Sequence, residues 1–166
     1  GGTIWQATIA KAIVKTDGTV IKTIEPNKLG TLTTAPSTLK FLQAALREVV
    51  VSGTGAGVFA GFPIQISGKT GTGQVFGRNP NGTQKDDTSW FASFAPSKNP
   101  RFAVVMMVGQ GGFGASTSGV GVRHIYEAIF GVKGNTVVPG AAIYQNGKPP
   151  TTLPKISPAT KPKEAP

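Results

Sequence analysis

Apolar residues recur at helical spacing in two stretches of the chain. The first, residues 36–51 (PSTLKFLQAALREVVV), has four apolar positions three or four residues apart: Leu39, Leu42, Leu46 and Val49. Such spacing predicts one buried helix face. Pro36 suits the first helical position, and the glycine-rich SGTGAG that follows ends the helix. A second helix is predicted over about 119–130, and its apolar stripe comprises Val122, Ile125 and Ile129.

Strands are predicted where apolar and β-branched residues cluster. Residues 4–14 (IWQATIAKAIV) indicate one strand, and the next segment turns at Asp17-Gly18, which favours a two-residue hairpin. Three further strands are predicted at about 62–70, 88–95 and 101–109. The last is a continuous apolar run, which is typical of a central strand. The order β-β-α-β-β-β-α predicts an α/β (α+β) fold in which helices flank an antiparallel sheet.

Composition indicates a globular chain followed by a tail. The 166 residues are 39% hydrophobic and 14% charged, so most of the chain can form a packed core. From Gly134 onward, proline, lysine and threonine dominate, which predicts one globular region at 1–133 and a disordered tail at 134–166. The start, GGTIWQATIA, lacks the features of a signal peptide and is typical of a fold interior. We therefore expect that earlier residues of the polypeptide are missing.

Charge and residue types exclude several kinds of site. There is no cysteine, which rules out disulfides, thiolate zinc sites and a cysteine nucleophile. No cluster of His, Asp and Glu indicates a metal, and we expect no metal and no cofactor. The net charge of +10 is scattered and has no interleaved aromatic residues, so we expect no nucleic-acid partner. No run of about 18 apolar residues is present to span a bilayer.

Two glycine motifs indicate nucleotide sites only at first sight. Gly68-Lys69-Thr70 ends like a phosphate-binding loop, but the leading glycine of that pattern would be residue 63, which is Pro63. Proline has no N–H to offer to a phosphate. The segment GQGGFG (109–114) fits the dinucleotide pattern, but no later strand ends in an acidic residue. A tight turn from strand to helix explains it better.

The segment Lys69-Thr70-Gly71-Thr72 matches a different signature. A strand that ends in Lys-Thr-Gly is the third signature of penicillin-recognising serine enzymes. Alone, these residues are common, and an ordinary strand end with a solvated lysine would explain them equally well. The wider series is more specific: VVVSGTGAG, GKTGTGQ, DDTSWFASFAP and PRFAVVMMVGQGGFG, followed by a helix. Over about residues 1–130 it closely resembles class B penicillin-binding proteins of the elongation type (penicillin-binding protein 2-like).

The resemblance implies that the chain is part of a peptidoglycan D,D-transpeptidase with a partial serine β-lactamase/transpeptidase-like fold. It implies that Thr70 and Thr72 bind the carboxylate of a terminal D-alanine or of a β-lactam. The backbone N–H of Thr72 would be an oxyanion donor, and Lys69 would tune the local field. Gly71 would let substrate lie against the strand, and Gln74 would line the cleft. Two aromatic residues are expected to pack behind the strand: Trp90 and Phe91.

The chain departs from the family at the nucleophile. The family places a serine with a lysine three residues later, and then a Ser-x-Asn, before Lys-Thr-Gly. Ser37 fits the first pattern with Lys40, but it lies too close to Lys69 in sequence and suits helix capping better. Ser97 fits the second pattern but follows Lys-Thr-Gly, in a predicted turn. We expect the nucleophile upstream of this chain, so the chain alone would be inactive, and we expect the lone histidine, His124, to be a surface residue without an acid partner.

The family also implies partners and a location. These are the D-Ala-D-Ala stem peptide, β-lactams and a membrane glycosyltransferase of the elongation or division machinery. The location is the extracytoplasmic face of the cell membrane, with an N-terminal anchor that this chain lacks. Two other classes remain open: a serine β-lactamase or β-lactam sensor, and a non-catalytic module that binds the cell wall.

Overall fold

The computed structural model of the chain describes residues 2–144. Within these residues the backbone forms two compact units, which comprise residues 2–39 and 40–144. Helix α1 (Pro36–Val51) begins in the first unit and continues into the second. Among the described residues, no helix is both long enough and apolar enough to cross a membrane.

Four short strands make up the first unit, in two antiparallel pairs. They are β1 (Thr3–Trp5), β2 (Ala12–Val14), β3 (Val20–Thr23) and β4 (Lys28–Thr31). Strand β1 pairs with β4, and β2 pairs with β3. The prediction of one strand over 4–14 is therefore wrong. The Thr8 hydroxyl accepts from the N–H of Ala10 at 3.2 Å and donates to its carbonyl, and this local turn separates β1 from β2.

The hairpin predicted at Asp17-Gly18 is confirmed, but its loop has three residues instead of two. Lys15 N donates to Thr19 O at 2.8 Å, and Gly18 N donates to Lys15 O. Gly18 has φ +87°, which supplies the left-handed residue of a three-residue hairpin loop. The Asp17 carboxylate accepts the Thr19 N–H at 2.8 Å, and this bond holds the pKa of Asp17 below its ordinary value.

A three-stranded antiparallel sheet forms the centre of the second unit. Its strands are β5 (Ser67–Gly73), β6 (Thr88–Ala95) and β7 (Phe102–Val108), in the order β5-β6-β7. Strand β5 starts later than predicted, and the first residue of the predicted strand lies instead in a turn, in which the N–H of Phe62 donates to Phe59 O. Strand β6 is the central one, and β7 has no second strand partner within residues 2–144, so its predicted central position is not observed.

Three short helical segments accompany the sheet. They are α2 (Ala56–Phe59), a π-helical turn (Ala115–Gly119) and α3 (Val120–Phe130). Val122 and Ile129 of α3 are buried as predicted, but Ile125 is exposed and Tyr126 occupies the buried position instead. A tyrosine can pack its ring in the core when its hydroxyl finds a partner, and here the hydroxyl lies 3.0 Å from Ser93 Oγ.

The core of this unit lies on one face of the sheet. It comprises Val50, Phe59, Ile66, Phe91, Ala95, Val122, Tyr126, Ile129, Phe130 and Val132. Helix α1 contributes Val50 near its C-terminal end, where the Arg47 guanidinium also donates to Ile66 O at 2.8 Å. Leu42, which was predicted to be buried, is 49% exposed, and Leu46 is only partly buried. The predicted apolar face of α1 is therefore only partly covered by the described residues.

Ordered structure continues past residue 133. Strands β8 (Val132–Lys133) and β9 (Thr136–Val137) form a small hairpin. The Tyr144 ring stacks on Phe102 with ring centroids 5.6 Å apart. The remainder of the predicted tail, 145–166, lies outside the described residues, and the division of the chain at residue 133 stays a prediction.

Candidate active site

The Lys-Thr-Gly segment lies on β5, at the edge of the sheet. Side chains alternate between the two faces of a strand. Thr70 pairs with the buried Phe91, and Thr72 pairs with the buried Ser89, so both threonines belong to the face that carries the core. Lys69 and Gly71 belong to the opposite face, where Gly71 pairs with Trp90.

The outer edge of β5 presents backbone groups of the same segment. Lys69 Nζ donates to Thr70 O at 2.9 Å, so this carbonyl points away from β6. Backbone groups two residues apart point the same way in a strand. The N–H of Thr72 therefore also points to the outer edge, which has no strand partner among residues 2–144. An outward N–H beside two hydroxyls can stabilise a negative oxygen.

Each threonine hydroxyl contacts a glycine-rich loop. Thr70 Oγ1 lies 2.7 Å from Thr54 Oγ1, in the loop that follows α1. Thr72 Oγ1 accepts from the N–H of Gly114 at 3.3 Å, in the loop that precedes α3. Neither Thr54 nor Gly114 was predicted from the sequence to be a site residue. The only signal in the sequence was the pair of glycine-rich loops that contain them.

Gly114 approaches the site too closely for any side chain. A Cβ at this position would lie 2.4 Å from Gly71 O and 2.7 Å from Trp90 O. Both are backbone atoms of the sheet and cannot move aside as a flexible side chain can. The glycines of GQGGFG therefore form a tight turn from β7 towards α3, as predicted. The turn lies against Lys-Thr-Gly itself.

A buried pair of serines fixes this loop to the sheet. Ser89 Oγ donates to Ser118 Oγ at 2.8 Å and accepts from Ser118 N at 3.1 Å. Both serines are fully buried, where a satisfied polar pair holds its partners in one arrangement. The π-helical turn is thereby held against β6, directly behind Thr72.

The two aromatic residues of β6, Trp90 and Phe91, and the candidate site residue Gln74 differ in their exposure. Phe91 is fully buried and packs behind β5, as predicted. Trp90 lies on the other face and is 41% exposed. Gln74 follows the end of β5 and is exposed. Its predicted role in lining a cleft stays a prediction.

An open cavity of about 270 Å³ adjoins Thr72. It is lined by Thr72, Lys85, Asp86, Asp87, Gly112 and Phe113. Asp87 is only partly exposed, and its carboxylate accepts the N–H of Val75 at 3.3 Å. Charged groups of both signs therefore surround one end of the Lys-Thr-Gly segment.

Ser97, the serine of the Ser-x-Asn match, lies in the protein interior and contacts another serine. Ser97 is buried, and its Oγ lies 2.5 Å from Ser67 Oγ. Ser67 is the first residue of β5, and Thr72 is five residues further, or roughly 17 Å along a strand. Ser97 therefore lies in a turn, as predicted, at the opposite end of the strand from Thr72.

His124 lies on the surface of α3, as predicted, but the prediction that it has no acid partner is wrong. Its Nδ1 lies 2.8 Å from Glu127 Oε2, and Arg123 Nε donates to Glu127 Oε1 at 3.0 Å. The bonds from His124 and then Arg123 lower the pKa of the Glu127 carboxyl. The cluster lies on α3, and none of its hydrogen bonds reaches the Lys-Thr-Gly segment.

Residues 1–130 match the family described as penicillin binding protein transpeptidase domain, and the chain belongs to this family. Among individual relatives, peptidoglycan D,D-transpeptidase MrdA of Escherichia coli strain K12 is 35% identical over 96 residues, which are 53% of this chain and 15% of that protein. Penicillin-binding protein 2A of Bacillus subtilis is 33% identical over 95 residues, which are 55% of this chain and 13% of that protein. The chain therefore spans only about one seventh of these relatives.

Solved structures agree with this assignment. The crystal structure of penicillin-binding protein 2 of Pseudomonas aeruginosa aligns with a TM-score of 0.59 at 25% identity, over 77% of this chain and 27% of that one. A peptidoglycan synthase complex aligns with a TM-score of 0.62 at 28% identity, over 83% of this chain and 22% of that one. The predicted family and the predicted antiparallel α+β fold are confirmed. The roles of individual residues in the site stay predictions.

Proposed function

We propose that this chain forms one wall of the active site of a peptidoglycan D,D-transpeptidase that also binds penicillin. The observation that carries the proposal is the arrangement of β5. It is an edge strand whose two threonines share one face and whose Thr72 N–H points outward. An extended substrate can lie along such an edge and bind its backbone groups.

Each residue of the segment has a task in this proposal. The hydroxyls of Thr70 and Thr72 donate to the carboxylate of the terminal D-alanine, or of a β-lactam. The N–H of Thr72 stabilises the oxyanion that forms on the attacked carbonyl. The Lys69 ammonium supplies positive charge, and Gly71 leaves its face of the strand free of side-chain atoms. Gln74 lines the cleft beyond the strand.

The reaction proceeds in two acyl transfers. A serine oxygen attacks the carbonyl of the D-Ala-D-Ala peptide bond, the C–N bond breaks, and D-alanine leaves with the serine proton on its amine. An amine of a neighbouring stem peptide then attacks the ester and forms a new peptide bond. Its proton returns to the serine. We propose that this serine, its lysine and the Ser-x-Asn belong to another part of the polypeptide, because Ser97 is buried away from Thr72.

Partners and location follow from the same proposal. One of the matched structures is a peptidoglycan synthase complex that coordinates polymerization and crosslinking. This supports a membrane glycosyltransferase as partner of the protein that contains this chain. Its substrate lies in the cell wall, so we place the chain on the extracytoplasmic face of the membrane, held there by an anchor in another part of the protein.

The experiment compares this chain with the longer gene product. Each is incubated with benzylpenicillin, and the intact mass is measured over time. We expect a stable adduct on the longer product and none on this chain. An adduct on this chain would overturn the placement of the nucleophile. Rapid loss of the adduct would indicate a β-lactamase, and no adduct on either would favour a non-catalytic wall-binding module.

A matched pair of lysine variants tests the role of the segment. Lys69→Ala in the longer product should slow acylation by roughly 10²-fold, the typical effect of removing one electrostatic group at an acyl-transfer site. Lys98→Ala changes an exposed lysine in the turn that contains Ser97 and should leave the rate unchanged. Equal rates for the two variants would remove Lys69 from the mechanism.

A further inference from the structure

We propose that Thr54 is a positioning residue that orients the hydroxyl of Thr70 towards the substrate carboxylate. The inference rests on the proposed function, in which Thr70 binds that carboxylate. Thr54 belongs to the segment SGTGAG, for which the sequence predicts only the end of a helix. In the structure this segment also places the Thr54 hydroxyl in contact with the Lys-Thr-Gly strand.

The contact between the two threonines is a direct hydrogen bond. Thr54 Oγ1 lies 2.7 Å from Thr70 Oγ1. A hydroxyl has one hydrogen to donate and can accept two. When Thr54 donates to Thr70, the Thr70 hydrogen is free to point elsewhere, and a bound carboxylate is the strongest acceptor for it. Thr54 thus keeps Thr70 in the donor state that the substrate requires.

Backbone contacts hold the loop of Thr54 against the end of α1. Gly53 N donates to Glu48 O at 3.0 Å, and Gly55 N donates to Val49 O at 2.9 Å. A Cβ on residue 53 would lie 2.8 Å from the Cα of Val49. Glycine at 53 therefore permits the close return of the chain that places Thr54 beside β5.

The loop of Thr54 also packs against Phe91, the cross-strand neighbour of Thr70. Gly55 is buried, and a Cβ there would lie 3.4 Å from the Phe91 ring. Phe59 of α2 contacts the same ring, with centroids 5.6 Å apart. Phe91 is the cross-strand partner of Thr70. The loop and the strand thus share one support, which fixes the distance between the two hydroxyls.

The test uses the longer gene product and two forms of one β-lactam, benzylpenicillin and its methyl ester. Thr54→Val keeps the shape of the side chain and removes the hydroxyl. Thr54 is exposed, so the valine creates no buried unpaired group. We expect Thr54→Val to lower the acylation rate constant with benzylpenicillin by about fivefold, as for loss of one hydrogen bond. With the ester, which has no carboxylate to bind, we expect an unchanged rate.

Two further variants separate positioning from support of the fold. Thr54→Ser keeps a hydroxyl and should restore most of the rate. In a Thr70→Val background, Thr54→Val should have no further effect, because the two residues act through one bond. Equal losses with the acid and the ester, or additive losses in the double variant, would overturn the inference. If wild type is not acylated at all, the proposed function itself fails, and the inference fails with it.

Discussion

At the scale of single residues, the polar groups of the site are held by neighbours distant in sequence. The Thr70 hydroxyl contacts Thr54, and the Thr72 hydroxyl accepts from the N–H of Gly114. The first neighbour precedes the strand, and the second follows the whole sheet. The loops that contain Thr54 and Gly114 are rich in glycine, which allows their backbones to come close to β5. The glycines of these loops therefore help to form the site.

Gly114 provides the sharpest test of this arrangement. A methyl group there would lie 2.4 Å from Gly71 O, so Gly114→Ala must move either the loop or the strand. We expect a loss of about 1–3 kcal/mol in unfolding free energy, as for overpacking, together with slower acylation of the longer product. Both are measured by denaturant unfolding and by the rate of adduct formation with benzylpenicillin.

Gly109 is the matched control in the same loop. A Cβ at this position meets nothing within 4 Å, and its φ is not in the left-handed region. Gly109→Ala should therefore retain wild-type stability and rate. If the two variants behave alike, the close contact at Gly114 does not control the site.

The sequence could predict the Lys-Thr-Gly segment because its chemistry is local. Two threonines two positions apart on a strand must share a face, whatever surrounds them. The contacts of Thr54 and Gly114 depend instead on how distant loops return to the strand. No local pattern encodes such a distance, and a glycine-rich loop indicates only that some close approach is possible.

At the scale of elements, local signals predicted regular segments well and tertiary pairings poorly. The helix at 36–51 and the strand at 88–95 have the predicted bounds. The stretch 4–14 has the composition of one strand, but a turn at Thr8 divides it between two partners. In α3, the spacing of apolar residues predicted that Ile125 is buried, but Tyr126 is buried in its place. Tyr126 can lie in the core because its hydroxyl bonds to the sheet.

Tyr126 links α3 to the sheet, and its phenol makes the free energy of unfolding fall at alkaline pH. Burial raises the pKa of its phenol above the ordinary value. The stabilisation is fully present below the ordinary tyrosine pKa of about 10. It is lost as the pH rises through the raised folded value, because the unfolded chain loses its proton first. We expect the unfolding free energy to fall as the pH rises above about 10.

Tyr126→Phe should reduce the fall in unfolding free energy at alkaline pH. At neutral pH it should lower the unfolding free energy by about 1 kcal/mol, because the hydrogen bond to Ser93 is lost. Tyr144→Phe leaves the Tyr126 phenol in place and should keep the wild-type pH profile. Denaturant unfolding at several pH values measures all three proteins. Identical profiles for wild type and Tyr126→Phe would show that other groups cause the loss.

At the scale of the whole molecule, one face of the sheet lacks a cover within the described residues. Trp90 is 41% exposed, and on β7 Val105 and Met107 are 62% and 55% exposed. These residues share the face of Lys69 and Gly71, because Trp90 pairs with Gly71 and with Met107. The chain aligns with only 27% of the penicillin-binding protein 2 structure. If the nucleophile belongs to another part of the polypeptide, that part must lie against β5 to act on a bound substrate, and we expect it to cover the open face that carries Lys69 and Gly71.

Hydroxyl-radical footprinting of this chain and of the longer gene product tests that arrangement. We expect oxidation of Trp90 and Met107 to be several-fold lower in the longer product, because the part that carries the nucleophile would cover this face and remove its apolar atoms from water. His124 lies on α3 with a side chain that is 69% exposed, and its oxidation should be equal in both. Tyr126 is buried and should be protected in both, which verifies that each protein is folded. Equal oxidation of Trp90 in the two proteins would mean that the open face is free surface, and that the nucleophile reaches β5 from its edge alone.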